Sequence, residues 1–120
     1  MSAVAGPLQG EVWMVNFDPV QGSEQAGIRP ALMVSRNELN RTGLCVVVPG
    51  TRTSRNFPGR VRLPRGVGGV TEDTYLLSEQ VRAVSASRFL RFLGAVETKH
   101  LKQTLTHVGY YLTVPSHGIS

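Results

Sequence analysis

Apolar residues arrive in short bursts separated by glycine, proline and small polar residues, and helical spacing is seen only near the C-terminal end. Glu11-Val-Trp-Met-Val-Asn-Phe17 alternates Trp13, Val15 and Phe17 with Val12, Met14 and Asn16, which predicts a first strand. Asp18-Pro19 breaks it, and glycines frame the connection that follows. Ala31–Ser35 and Leu44–Val48 are continuous apolar runs between turn residues, as expected of strands buried on both faces or closed into a small barrel. Arg36 to Thr42 has room only for a short helical turn. In Gly59-Arg-Val-Arg-Leu63 the alternation sends Arg60 and Arg62 to one face and Val61 and Leu63 into the core.

Pro64 to Gly69 reads as a mobile glycine-rich loop. Thr74–Leu77, Val81–Val84 and Phe89–Val96 are further predicted strands, with a brief turn at Ser85 to Ser87. Leu101, Leu105, Val108 and Leu112 recur at helical spacing and predict a helix over Thr98–Thr113, ended by Pro115. Thr104, Thr106, Gly109 and Thr113 are poor helix formers, so this helix must lean on a sheet. Strands followed by one helix, without repeated strand-helix-strand units, give a mainly β fold with a C-terminal helix and a small barrel as its architecture. The 120 residues suffice for one domain over 1–120, with 1–9 expected to be flexible and 115–120 a tail.

Charge narrows the partners. Thirteen Lys and Arg against eight Asp and Glu give a net charge of +5, and nearly all of these cations are arginine, whose planar fork suits phosphate oxygens. No acid occurs from Leu39 to Thr71, while Arg41, Arg52, Arg55, Arg60, Arg62 and Arg65 fall inside that stretch. One strongly positive face and attraction of a polyanion follow. Cys45 is the single cysteine and lies in an apolar run, so it is expected to be a core residue in a reducing cytoplasm. The N-terminal residues lack signal-peptide character and no run approaches a membrane span.

Several enzyme classes are excluded. No phosphate-binding glycine loop, dinucleotide fingerprint or nucleophile elbow is present. His100, His107 and His117 lack zinc-protease spacing and are expected to be solvated or half-buried. The acids are scattered, with only Glu72 and Asp73 adjacent, which argues against a carboxylate-held metal or any cofactor.

What is left for chemistry is the glycine-flanked stretch Gly22-Ser-Glu-Gln-Ala-Gly-Ile-Arg-Pro30, which carries Glu24 and Arg29, together with the hydroxyls of Val48-Pro-Gly-Thr-Arg-Thr53. Taken by itself, Glu24 with Arg29 is an ion pair across a turn. Gly10-Glu-Val-Trp13, Asn16-Phe-Asp-Pro19, Gly22 to Gly27 with Arg29-Pro30, Val48-Pro-Gly-Thr51 and Glu79-Gln-Val-Arg82 together resemble the MazF/PemK family of toxin endoribonucleases over almost the whole chain.

That resemblance implies an SH3-like barrel of the MazF/PemK/CcdB type, a homodimer, and metal-independent, sequence-specific cleavage of single-stranded RNA. It also implies an acidic, MazE-like antitoxin partner. It assigns catalysis to Arg29 and Thr51, with Glu24 as a further active-site acid. Ser23, Gln25, Arg52, Thr53, Arg55, Phe57, Arg60 and Gln80 are the substrate-binding candidates, Phe57 by stacking on an unpaired base. The sequence departs from the family at Gly50, where other members carry a side chain, and at Arg52, where many have Thr or Ser. Both changes bear on cleavage specificity. The same barrel is compatible with a non-enzymatic gyrase poison, and the charge alone with a basic RNA-binding module.

Overall fold

The computed structural model describes residues 6–19, 22, 26–54 and 60–115. The order is β1 (Glu11–Asn16), β2 (Ile28–Met33), α1 (Asn37–Asn40), β3 (Leu44–Thr51), β4 (Arg60–Leu63), β5 (Thr74–Leu77), β6 (Arg82–Ser85), β7 (Phe89–Ala95) and α2 (Thr98–Leu112). All pairings are antiparallel along β4-β5-β3-β2-β1-β7, and β6 also pairs with β3. The edge of β3 opposite β2 is shared, with Leu44–Val47 carrying β6 and Gly50–Thr51 carrying β5. The short 3-10 turn Ser78–Gln80 lies between β5 and β6, where that switch falls. The result is a bent, barrel-like sheet that is not closed among the described residues, with the helix following it.

The continuous apolar runs are explained by burial on both faces. Leu32, Val34 and Val48 join Val12, Leu63 and Val108 in one cluster, whereas Ala31, Met33, Cys45 and Val47 join Val15 and Phe17 in another. Alternation along β2 and β3 therefore feeds two cores, and no position in between is left polar. Cys45 is fully buried, as expected.

Three expectations need correction. β2 begins at Ile28, so Arg29 and Pro30 are strand residues opposite Val15 and Met14 and not part of a loop. Proline is admitted there because β3 joins β2 only from Ala31 onward, leaving β2 a single neighbour at Pro30. The stretch Pro64 to Gly69 is folded onto the sheet: it contains the 3-10 turn Val67–Gly69, Gly66 N–H donates to Val70 O, and a Cβ on Gly69 would lie 2.0 Å from the Leu93 carbonyl oxygen.

On α2 the buried positions are His100, Thr104 and Val108, while Leu112 is 72% exposed. The expected stripe holds in part, since Val108 is in the core and Leu101 packs against it, but the buried face turns toward Thr104, which satisfies its own hydroxyl on His100 O at 2.8 Å and so is buried at little cost, and leaves Leu105 and Leu112 exposed. His100 is accordingly buried and not solvated. Gln9 N–H donates to Asn37 Oδ1 and its Nε2 to Val34 O, each within 2.9 Å, so Gln9 is held against the sheet. His117 lies outside the described residues.

Candidate active site

The connection between β1 and β2 is closed at its base by two hydrogen bonds. Phe17 N–H donates to Gly27 O at 2.9 Å, and Gly27 N–H donates to Asp18 Oδ1 at 3.0 Å. Gly27 has φ +82°, a conformation that disfavours any side chain, and it delivers the chain into β2. Two residues later Arg29 turns its guanidinium back, with Nε donating to Ala26 O at 2.6 Å. The arginine is thus fixed both by its strand and by the loop before it.

Thr51 closes β3 opposite Tyr75 and is 9% exposed. Its Oγ1 accepts Thr53 N–H at 3.2 Å, a local cap that turns the chain after the strand. A hydroxyl used as an acceptor in this way keeps its own proton for donation.

A cleft of about 590 Å³ gathers these groups. Arg29, Thr51, Arg52, Thr53, Arg60 and Gln80 all line it, so every sequence-predicted site residue among the described ones meets in one place. Ser23, Glu24, Gln25, Arg55 and Phe57 lie outside the described residues. Ile28 and Pro30, from the glycine-flanked stretch read for chemistry, and Gly50, one of the departures that bear on cleavage specificity, also line it, whereas Met14 and Leu77 complete the walls and were not predicted. Ile28 is 57% exposed at this wall.

Gly50 has a steric reason. A Cβ there would lie 2.5 Å from Thr74 Cγ2 and 3.2 Å from Pro30 O, so this glycine lets β3 come close to the cleft floor.

Arginines supply the charge of the lining, and no described lining residue is acidic. They are not equivalent. Arg60 pairs with Glu79 at 2.8 Å, and on the same strand Arg62 pairs with Asp73 at 2.9 Å, so the basic face expected from β4 is partly neutralised by acids of later segments. Arg52 is exposed and makes no ion pair among the described residues. The Arg62 guanidinium, followed by Arg65 N–H, holds the Asp73 carboxyl below its ordinary range. Among the described residues no three His, Cys, Asp or Glu side chains assemble as a metal site. The arrangement offers guanidiniums and a hydroxyl converging over an apolar floor, which is equipment for binding a phosphodiester and offsetting charge that grows on it.

Comparison with known proteins agrees with this geometry. A family model described as "PemK-like, MazF-like toxin of type II toxin-antitoxin system" matches residues 8–112. Endoribonuclease MazF9 of Mycobacterium tuberculosis is 35% identical over 102 residues, covering 79% of this chain and 86% of that protein. A crystal structure of MazF from Deinococcus radiodurans superposes with a TM-score of 0.81 at 31% identity, covering 91% of this chain and 98% of that one. A MazE-MazF crystal structure from the same organism gives a TM-score of 0.75 at 30% identity, covering 91% and 97%.

Proposed function

Since the chain belongs to the PemK-like, MazF-like toxins of type II toxin–antitoxin systems, we propose that it is an endoribonuclease that cuts single-stranded RNA in the Arg29–Thr51 cleft. The single observation that carries this reading is the convergence of Arg29, Thr51 and Arg52 in one cleft above the apolar Met14 and Pro30.

The reaction suited to these groups is transesterification. The substrate's own 2'-oxygen attacks phosphorus, the bond to the 5'-oxygen breaks, and the ends are a 2',3'-cyclic phosphate and a 5'-hydroxyl. The protein then supplies no nucleophile and works by positioning and by electrostatics. Arg29 clamps the non-bridging oxygens with its fork, held in aim by its bond to Ala26 O. Thr51 donates its hydroxyl proton to the same phosphate. Arg52 and Arg60 contact the adjoining backbone, while Met14, Ile28 and Pro30 receive bases that stack without pairing. Glu24 and Arg29 are the candidate carriers of the proton that leaves the 2'-hydroxyl and of the one that reaches the 5'-oxygen.

The reading extends to a homodimer acting in the cytoplasm on mRNA, free of the ribosome and without a metal, at a short sequence. It extends also to an acidic antitoxin that covers the basic cleft. The Deinococcus radiodurans relative is seen in a MazE-MazF structure, and a lining with no acid among the described residues favours such a partner. Primer-extension mapping of a long RNA incubated with the wild type and with Arg29→Ala, chelator present throughout, tests the reading. Discrete cuts by the wild type alone support it. RNA that is bound but never cut would make the protein a binding module, and intact RNA with trapped gyrase complexes would make it a gyrase poison.

A further inference from the structure

A second recess, of about 140 Å³, opens on the far side of the cleft floor. Met14, Pro30 and Arg52 line both cavities, so the two are parts of one groove and not separate sites. The sheet register explains the continuity. Met14 on β1 is directly opposite Pro30 on β2 and Arg91 on β7, and directly opposed residues share a face. Gly50, which a Cβ would bring against Pro30, extends this row to β3. From β3 to β7 is three strand spacings, roughly 14 Å, farther than one nucleotide reaches.

The smaller recess has its own chemistry. Arg91 is exposed and makes no ion pair or side-chain hydrogen bond among the described residues, in contrast to Arg60 and Arg62. Thr71 and Glu72, which carry a hydroxyl and a carboxylate, line the recess with it, and Leu93 is an apolar wall. A guanidinium, an acceptor-only carboxylate and a hydroxyl around a small apolar slot form a donor and acceptor set of the kind that distinguishes base edges. Phosphate binding alone would not use the carboxylate. At this volume the recess is well below the range of roughly 300–1,000 Å³ for a complete ligand site, which makes it an annex of the main cleft.

We propose that this annex is a specificity subsite, in which Arg91 and Glu72 read one base flanking the scissile phosphate while Arg52 holds the backbone that crosses the Met14–Pro30 ridge. The inference rests on the endoribonuclease reading above. It adds a base-reading position away from Arg29 and Thr51, on β7, a strand that carries no motif associated with RNA.

The test uses a single-stranded RNA library randomised on both sides of a site that the wild type cuts, with products sequenced. Wild type, Arg91→Ala, Glu72→Gln and a charge control, Lys102→Ala on the exposed side of α2, are compared after thermal melts show equal folding. The expected result is a loss of base preference at one flanking position in both subsite variants, with the other positions unchanged. Arg91→Ala also lowers kcat/KM on the preferred sequence by about tenfold, mainly through KM, in line with one lost base contact. Lys102→Ala keeps the wild-type profile. Wild-type preferences retained by both subsite variants would overturn the proposal, and so would a uniform loss at every position, which would mark Arg91 as general field only. A wild type that cuts no member of the library would overturn the endoribonuclease reading itself, a failure separate from unchanged variants.

Discussion

The Arg60 guanidinium and the Glu79 carboxylate meet at 2.8 Å with side chains only 13% and 21% exposed, tying a lining residue of β4 to the turn that carries Gln80. A pair so far out of water contributes through its partner as much as through its contact, since either charge left alone is costly. Glu79→Ala is therefore expected to lower unfolding free energy by about 3 kcal/mol. In a urea-denaturation double-mutant cycle, Arg60→Ala with Glu79→Ala should lose less than the sum of the single changes, with a coupling of about 1–3 kcal/mol. Additive losses would show that the pair does not hold this wall of the cleft.

Arg29 is expected to resist conservative replacement. Its strand position and its bond to Ala26 O present a planar fork to the cleft, and a lysine ammonium reproduces the charge without the paired donors. Arg29→Lys and Thr51→Val should each reduce kcat for RNA cleavage by about 10²–10³, the usual effect of removing one preorganised donor. Thr51→Ser, which keeps the hydroxyl, should retain most activity. Single-turnover rates with circular dichroism as a folding check decide this, and an active Thr51→Val would remove Thr51 from the chemistry.

These residues also show what was legible in the sequence. The strands are readable because alternation and turn residues coincide, and Arg29 and Thr51, which line the cleft, stand out because they fall in ordered motifs. In sequence Pro30 reads as loop because proline usually interrupts a strand, and only tertiary pairing reveals that β2 has one neighbour there. The helix face is legible in Leu101 and Val108, which pack on the core, but not in Thr104, which looks polar in sequence and returns its hydroxyl to His100 O. Arg91 carried no signal at all. Its place in the groove follows from opposition to Met14 across β1 and β7, a register that no local pattern encodes.

Arg62 and Asp73 give an acid-limb prediction. The Arg62 hydrogen bond, together with Arg65 N–H, lowers the Asp73 carboxyl in the folded protein, whereas the unfolded carboxyl titrates near about 3.9. A depressed folded value means that the stabilisation is complete above the unfolded value and is lost as pH falls through the folded one. Melting temperatures of wild type and Asp73→Asn should differ near neutral pH and converge on acidification. The gap should be small and shrink with salt, since both groups are largely solvated. A gap that persists at low pH would mean that the aspartate acts through geometry and not charge.

Gly50 and Thr74 give the sharpest steric prediction, because the space a side chain would need is already taken. A Cβ on residue 50 would sit 2.5 Å from Thr74 Cγ2, while the Thr74 hydroxyl is engaged with Glu72 O at 3.0 Å and resists rotation away. Gly50→Ala should therefore destabilise by about 1–3 kcal/mol, the range for overpacking, and disturb the cleft floor through Pro30. Thr74→Ser removes the obstructing methyl and keeps the hydroxyl. The pair Gly50→Ala with Thr74→Ser should recover most of the loss in thermal melts, leaving only the 3.2 Å approach to Pro30 O. No recovery would place the obstruction in the backbone of β2, and the groove would then depend on glycine at this position whatever residue 74 is.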